Sequence, residues 1–201
     1  APDDSRIYLE TLWRDWWKLR PPDPPLPSRC LDWKFGGMRP GTHPHRRLGA
    51  LAAASAVWPR LAVPARKGTP SGLRRLRERL MALDHPFWTH HYTLRSRATA
   101  RPVALCGRSR AHEFLANYSI PRWWRTDPGA AWSSFRRRPA GPTSDPVRRA
   151  AIRLLGDRGD RDRFLKRLWQ HQGLLQVYHD FCLEDASDCH QCPFPEQLFD
   201  G

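Results

Sequence analysis

The chain has 201 residues, with 34 Lys and Arg against 20 Asp and Glu, a formal net charge of +14 and a pI near 10.7. Its 40% hydrophobic content and ten Trp residues exclude a chain that is disordered throughout. No apolar run approaches the ~20 residues that a membrane-spanning helix needs. A surplus of positive charge favours polyanionic partners, of which nucleic acid is the commonest. We therefore expect a nucleic-acid partner and no membrane insertion.

The recurrence of apolar residues along the chain predicts a mostly helical protein. Helices are expected over residues 5–20, 46–58, 71–83, 109–119, 145–155 and 160–182. Ser71 is the expected cap of the third helix and Pro121 the expected end of the fourth. Residues 86–95 are aromatic and predict a short strand or turn. The Pro, Gly and Arg content of residues 30–45 and 125–145 predicts loops.

One glycine lies inside the last predicted helix. Gly173 stands between Gln172 and Leu174. Glycine in a helix interior costs ~1 kcal/mol relative to alanine. We therefore expect another backbone to approach the last helix closely at Gly173.

Together these elements predict a mostly α fold, an irregular helical domain with long Pro- and Arg-rich loops and a C-terminal cysteine-metal loop. The expected organisation is an N-terminal helix and Pro-rich linker (1–29), a basic helical domain (30–181) and an acidic, cysteine-containing tail (182–201). All Lys and Arg precede residue 180, and the chain beyond them holds six acidic residues. Without a recognisable signal peptide, the chain is expected to be cytoplasmic.

Three of the five cysteines are crowded together near the C-terminus. Cys182, Cys189 and Cys192 follow the spacing C-x6-C-x2-C, with Pro193 next. Thiolates at this spacing can hold one zinc ion or a [4Fe–4S] cluster. The candidates for a fourth ligand are Cys106, which is included in the predicted set, and Cys30, His190 and His179. The alternative is reduced thiols, or a Cys189–Cys192 disulfide in a mobile tail.

The cysteine spacing resembles the iron–sulfur loop of helix-hairpin-helix DNA glycosylases, whose pattern is C-x6-C-x2-C-x5-C. Leu198 stands here at the place of the fourth cysteine. The glycine pattern with which that family grips DNA is also absent from the sequence. We therefore expect metal binding, without glycosylase activity.

A second candidate site precedes the helix predicted at residue 46. Its basic residues are Arg39, His43, His45, Arg46 and Arg47. Positive side chains at the positive end of a helix dipole are unfavourable unless an anion is bound, so the segment predicts a phosphate site. A further basic run, Arg136, Arg137 and Arg138, is expected to join the nucleic-acid interface. The alternative is an ordered loop whose arginines pair with acids or carbonyls of the core.

A further hypothesis is that the chain is a self-contained enzyme. It would use His43, His45 or the region of His90 and His91, together with a carboxylate or a metal. Adjacent histidines point to opposite sides of a strand, so at most one of His90 and His91 joins a given site. None of the common catalytic motifs for phosphate loops, serine hydrolases or zinc proteases is present.

Three blocks of the sequence are similar to one family. They are RPGTHPHRRLGALA (39–52), AHEFLANYSIP (111–121) and HQGLLQVYHDFC (171–182), the last followed by C-x2-C-P. As a set they resemble the C-terminal part of the uncharacterised bacterial proteins grouped as domain of unknown function 2851. The similarity spans roughly residues 33–195, with Gly41-Thr42 in place of the Ala-Asn usual in the family.

The resemblance implies a wider setting for the chain. Longer members of the family begin with a region that includes a Gly-Asp-Val-Glu-Ile-His-like stretch similar to a nuclease core, which this sequence does not contain. We therefore expect a nucleic-acid-binding helical module with a cysteine-ligated structural metal. It would act beside a nuclease-like half or separate chain and would not itself be catalytic. The alternative is an interaction subunit whose basic surface meets an acidic protein.

Overall fold

The computed structural model describes residues 3–20, 22, 36–66, 68–157, 159–183 and 191–199. Helix dominates these residues, and the prediction of a mostly α fold is confirmed. Within them β-structure is limited to one isolated antiparallel bridge between Pro139 and Arg167.

The α-helices of the described residues are five to 17 residues long. The α-helices are Asp3–Leu19 (α1), Pro44–Ala56 (α2), Trp58–Arg66 (α3), Pro70–Met81 (α4), Arg108–Phe114 (α5), Ile120–Trp124 (α6), Pro128–Arg136 (α7), Asp145–Leu155 (α8), Leu168–Val177 (α9) and Phe194–Phe199 (α10). The described residues also include two 3-10 helices, Pro40–Thr42 and Arg161–Leu165, and two π-helices, Leu115–Ser119 and Tyr178–Leu183. By its contacts the chain divides into a first unit, Ala1–Leu115, and a second unit, Ala116–Gly201.

The helix predicted over residues 46–58 is α2, which begins at Pro44 and ends at Ala56, and a second helix, α3, follows it. Val57 separates them, with φ −109° and ψ 14°, and Pro59 then supplies no N–H for continuing α2. Helices α2 and α3 meet at 78°. Among the described residues no single helix is long and apolar enough to cross a bilayer, and these two pass that test only as a bent pair.

Helix α4 packs against α3 through its leucine face. Leu73, Leu76 and Leu80 are buried, as the helical spacing requires. The cap is Thr69 and not the predicted Ser71, because the Thr69 hydroxyl accepts a 3.1 Å hydrogen bond from the Gly72 amide. Thr69 has the extended backbone of a cap, whereas Ser71 already lies inside the helix.

An irregular segment, residues 84–107, builds a small aromatic core on α2. Phe87, Trp88 and Leu105 are buried there with Ala53 of α2. Residues 86–95 form turns and not a strand, since Thr89 and His90 donate backbone hydrogen bonds to the carbonyls three or four residues earlier. Gly49 permits this packing: a Cβ at residue 49 would lie 2.3 Å from the Trp88 ring.

In the second unit, one predicted helix end and one predicted loop are wrong. Pro121 does not end a helix; it occupies the first turn of α6, where its missing N–H costs no hydrogen bond. The loop expected over 125–145 contains helix α7. Asp127 caps α7 by accepting a 3.0 Å hydrogen bond from the Ala130 amide, and Pro128 follows at the first helical position. Helix α8 occupies its predicted bounds.

The long final helix predicted over 160–182 is interrupted. A 3-10 helix precedes Arg167, whose extended backbone (φ −118°, ψ 144°) separates it from α9. The helix then continues as a π-helix from Tyr178. The close approach predicted at Gly173 is wrong, because no described atom beyond its own helix would come within 4 Å of a Cβ there.

Candidate functional site

The basic motif before α2 folds into a compact helix start. Pro40–Thr42 forms a 3-10 turn, in which the Thr42 hydroxyl donates a 2.8 Å hydrogen bond to the Arg39 carbonyl. His43 then caps α2, and its Nδ1 accepts a 3.3 Å hydrogen bond from the His45 amide. Arg39 is exposed beside this turn.

The two histidines of the motif lie against each other. Their ring centroids are 4.5 Å apart, and His45 Nδ1 accepts a 3.5 Å hydrogen bond from the Leu94 amide. Burial, then the proximity of His43 and Arg95, lowers the pKa of His45. The motif therefore favours a neutral imidazole at residue 45, which contributes hydrogen bonding more than charge.

The neighbouring arginines of the motif have opposite environments. Arg46 is only 3% exposed, whereas Arg47 is exposed. Nη1 of Arg46 donates to the carbonyls of Trp88 and His91 (2.6 Å), and Nη2 donates to those of Val103 (2.5 Å) and Ala104 (3.2 Å). These bonds occupy four of its five N–H groups, so Arg46 holds the irregular segment on α2, and the motif's exposed guanidiniums are those of Arg39 and Arg47.

The histidines of the irregular segment also support the fold. His91 is buried and stacks on Phe87 with centroids 3.9 Å apart. Its Nδ1 lies 2.9 Å from the Phe87 carbonyl, and its Nε2 lies 2.8 Å from an Asp4 carboxylate oxygen. His90 Nδ1 lies 3.2 Å from the Thr99 carbonyl. Thus His91 and His90 both face groups that fix the loop and α1.

Positive charge is concentrated in the first unit. That unit carries 21 Lys and Arg against nine Asp and Glu, whereas the second carries 13 against 11. Residues 36–115 alone hold 15 basic and three acidic residues, a net charge of +12. Within the described part of that stretch, no arginine forms an ion pair with a carboxylate.

Part of this charge lies on α3 and α4. Arg75 and Arg79 are exposed one turn apart on the side of α4 away from its buried leucines. The Arg79 guanidinium donates to the carbonyl of Arg60, whose side chain is exposed on α3. We call Arg60, Arg75 and Arg79 the α3–α4 basic face. These three residues were not predicted as site residues, although the arginine spacing of α4 is visible in the sequence.

The predicted run at residues 136–138 lies at the end of α7. The carbonyl of Arg137 accepts a 3.0 Å hydrogen bond from the Arg167 guanidinium, and that of Arg138 accepts one of 3.0 Å from the Leu168 amide. The side chains of Arg136 and Arg137 are exposed, whereas Arg138 is half-buried. The run thus anchors the start of α9 through its backbone and presents Arg136 and Arg137 outward.

The cysteines predicted to bind metal are only partly within the described residues. Cys182 and Cys192 are half-buried, whereas Cys189, Cys30 and His190 lie outside the described residues. The Phe181 and Phe194 rings lie 5.1 Å apart, so the chain flanking Cys182 and Cys192 comes together. No group of three His, Cys, Asp or Glu within the described ranges is arranged to hold a metal.

The remaining predicted ligand, Cys106, belongs to the first unit. It is 7% exposed, and burial raises the pKa of its thiol. The raised pKa favours the neutral thiol over the thiolate that binds metals. Cys106 is therefore a buried, neutral side chain of the first unit. The metal site stays a prediction from the cysteine spacing near the C-terminus.

The second unit contains a cavity of about 580 Å³ that was not predicted from the sequence. Gln172, Gln176 and His179 line it beside the π-helix. Gln176 donates a 2.6 Å hydrogen bond to Asp180, and this bond is the largest cause of the lowered pKa of the Asp180 carboxyl. His179 Nδ1 lies 3.3 Å from the same carboxylate, on an exposed surface.

Comparison with known proteins gives one match. No curated protein and no solved structure matches the chain. A family model described as a protein of unknown function (DUF2851) matches residues 7–129. This range contains the segments 39–52 and 111–121, and the segment 171–182 lies beyond it. Since the match covers more than half of the chain, the protein belongs to the DUF2851 family.

Proposed function

We propose that the first unit binds nucleic acid through phosphate contacts made by exposed arginines. The observation that carries the proposal is the local charge: 15 basic against three acidic residues between 36 and 115. Unpaired positive charge of this density attracts a polyanion and releases its counterions on binding. A GC-rich genome explains a preference for Arg over Lys, but it does not explain why residues 36–115 contain only three acidic residues.

The exposed arginines named above are the proposed contacts. Arg39 and Arg47 flank the start of α2, and the α3–α4 basic face adds Arg60, Arg75 and Arg79. In the second unit, the exposed Arg136 and Arg137 are proposed as phosphate contacts of their own. Arg46 is left out because its guanidinium is committed to main-chain carbonyls.

The test is fluorescence anisotropy of labelled duplex DNA and labelled RNA across a salt series. For duplex DNA the log–log slope of affinity against salt is roughly −0.9 per neutralised phosphate. The double substitution Arg60→Gln/Arg75→Gln should make the slope shallower by about 2 and weaken binding at every salt concentration. It keeps Arg79 and the carbonyl contact that joins α3 to α4.

The matched control is Arg122→Gln/Arg125→Gln, which removes the same charge from exposed positions of the second unit. This control should leave the slope nearly unchanged. Equal loss in both variants would reject the α3–α4 basic face and leave only non-specific attraction to total charge. No binding at 50 mM salt would reject the proposal and favour an acidic protein partner for the same surface.

The cysteine-ligated metal belongs to the same proposal. We propose that Cys182, Cys189 and Cys192 bind zinc or a [4Fe–4S] cluster that fixes the C-terminal chain. The contact between the Phe181 and Phe194 rings supports the proposal, because each ring is within two residues of Cys182 or Cys192 and the contact limits the distance between these cysteines. Metal analysis of purified protein should find bound zinc or iron, and Cys189→Ser should lose it together with stability of the second unit. Full metal retention in Cys189→Ser would reject the site.

The cellular setting is a further part of the proposal. Association with a nuclease-like region is proposed on the basis of the family resemblance alone. Co-purification of a nuclease-like chain, or nuclease activity of a longer natural form, would support it. The chain described here is proposed to supply binding and not catalysis.

A further inference from the structure

A cavity in the first unit combines an apolar floor with a few charged lining residues. Its volume is about 500 Å³, and residues of α2, α3, α4 and α5 line it. Leu61, Leu76 and Leu80 form part of the floor and are 0–6% exposed. This volume lies in the range of small-molecule sites, which run from roughly 300 to 1,000 Å³ and are mostly apolar with a few placed polar groups.

The floor suits an apolar body and not a polar one. Cys106 lines the cavity, and the raised pKa of its buried thiol keeps it neutral there. The leucine and alanine side chains beside it offer no donor or acceptor to the edge of a base or the hydroxyls of a sugar. A buried polar group without a partner costs about 1–3 kcal/mol, so the floor selects against such ligands.

The charged residues that line the cavity favour a negatively charged group on the ligand. Arg47 and Arg110 line it together with Glu113, which leaves a net charge of +1. In the described part of the chain, neither guanidinium forms a hydrogen bond or an ion pair with another side chain. Two arginines that line one cavity can bind a carboxylate well, because each offers several N–H donors in a planar arrangement.

We propose that this cavity binds an amphipathic monoanion, an aliphatic chain with a carboxylate head. The chain would lie on the leucine floor, and the carboxylate would meet Arg47 and Arg110. The proposal shares Arg47 with the proposed nucleic-acid interface, but it requires neither the α3–α4 basic face nor any phosphate contact.

Cys106 provides a direct readout of occupancy. A ligand in the cavity should shield its thiol from the neutral reagent N-ethylmaleimide, and peptide mass spectrometry can follow each cysteine separately. Decanoate, decanol and decyltrimethylammonium, each below its micelle-forming concentration, share the apolar chain and differ in head charge. Decanoate should slow alkylation of Cys106 at least about tenfold more than the cation does, with decanol between them. Alkylation of Cys106 in the urea-denatured chain serves as the reference, because it shows that the amphiphiles do not inactivate the reagent.

Matched variants separate binding in the cavity from binding elsewhere. Ala54 lines the cavity, whereas Ala52 of the same helix is exposed and does not. By isothermal titration calorimetry, Ala54→Trp should weaken decanoate binding at least about tenfold, and Ala52→Trp should leave it unchanged. Arg47→Gln/Arg110→Gln should abolish the preference for decanoate over decanol while decanol still binds.

Three results would overturn the proposal. Equal protection by all three amphiphiles would show that head charge plays no part. Stronger protection by adenosine monophosphate than by decanoate would assign the cavity to a nucleotide. Protection of Cys106 that increases with protein concentration, without added ligand, would show that a second copy occupies the cavity. Calorimetry decides the question if Cys106 reacts too slowly to follow.

Discussion

The two units of the chain carry charge in different ways. In the second unit, acids and bases are nearly balanced, and arginines lie beside carboxylates, as in Arg148 with Asp145 and Arg161 with Asp157. In the first unit, the described ion pairs between arginine and carboxylate are confined to α1, and the stretch from residue 36 onward has a net charge of +12. The basic pI of the whole chain therefore comes mainly from a stretch of 80 residues.

The first unit also uses one of its positive charges as a structural element. Arg46 binds four main-chain carbonyls of a segment that contains no regular secondary structure apart from turns. In the second unit, helix caps and the bridge between Pro139 and Arg167 perform the equivalent task. Net charge by itself thus overstates the number of arginines available to a partner.

The largest effect should come from removing the Arg46 guanidinium. Arg46→Met leaves buried carbonyls without donors and should lower the free energy of unfolding of the first unit by on the order of 4 kcal/mol. Urea denaturation followed by circular dichroism measures the loss. Arg47→Met, at the exposed neighbour, is the control and should change stability by less than about 0.5 kcal/mol. Equal stability of the two variants would contradict a structural role for Arg46.

Two glycine substitutions should have opposite effects in the two units. Gly49→Ala places a methyl group against the Trp88 ring, and we expect a loss of about 2 kcal/mol despite the better helix propensity of alanine. In Gly173→Ala the new methyl group meets no described atom within 4 Å beyond its own helix, and the substitution should stabilise by up to about 1 kcal/mol. Thermal denaturation of both variants tests the pair. A stabilising Gly49→Ala would mean that Trp88 moves aside at little cost.

The smallest effect is a dependence on pH. Burial lowers the pKa of both His45 and His85 in the folded chain, so the unfolded chain binds protons more readily near the ordinary histidine pKa of about 6.5. Their contribution to stability is present above that pH and is lost as pH falls below it. The urea concentration at the unfolding midpoint should therefore decrease when the pH is lowered from 7 to 5.5. His45→Gln/His85→Gln should flatten this dependence, and an unchanged slope would contradict it.

The sequence predicted the helices that have a single clear apolar face. Helices α1, α4 and α8 lie close to their predicted bounds, because their leucines and valines follow the helical period. Helix α7 was missed because Pro128 and Gly129 at its start lie in a stretch that was interpreted as a loop, and no helix was predicted over the residues of α3 beyond Trp58. Both helices carry proline in the first turn, where its fixed φ suits the helix and its missing N–H costs nothing.

The candidate site was harder to predict, since burial of one arginine in a run depends on tertiary contacts. The local signal was weak: Arg46, Gly49 and Ala53 share one face of α2, and all three are buried. The carbonyls that Arg46 binds come from an irregular segment that has no periodic pattern. The cavity with Arg47 and Arg110 joins residues far apart in the sequence, and no local motif relates them.

The sequence separation between Arg46 and the carbonyls that it binds has a consequence for the order of folding. They lie 42 to 58 residues after Arg46 in the sequence. During synthesis, helix α2 can form soon after it emerges, but its arginine must wait for these distant partners. Closing loops of this length costs entropy before any hydrogen bond compensates for it. The irregular segment should therefore become ordered only after α2 exists, and a fragment that lacks α2 should leave it unfolded.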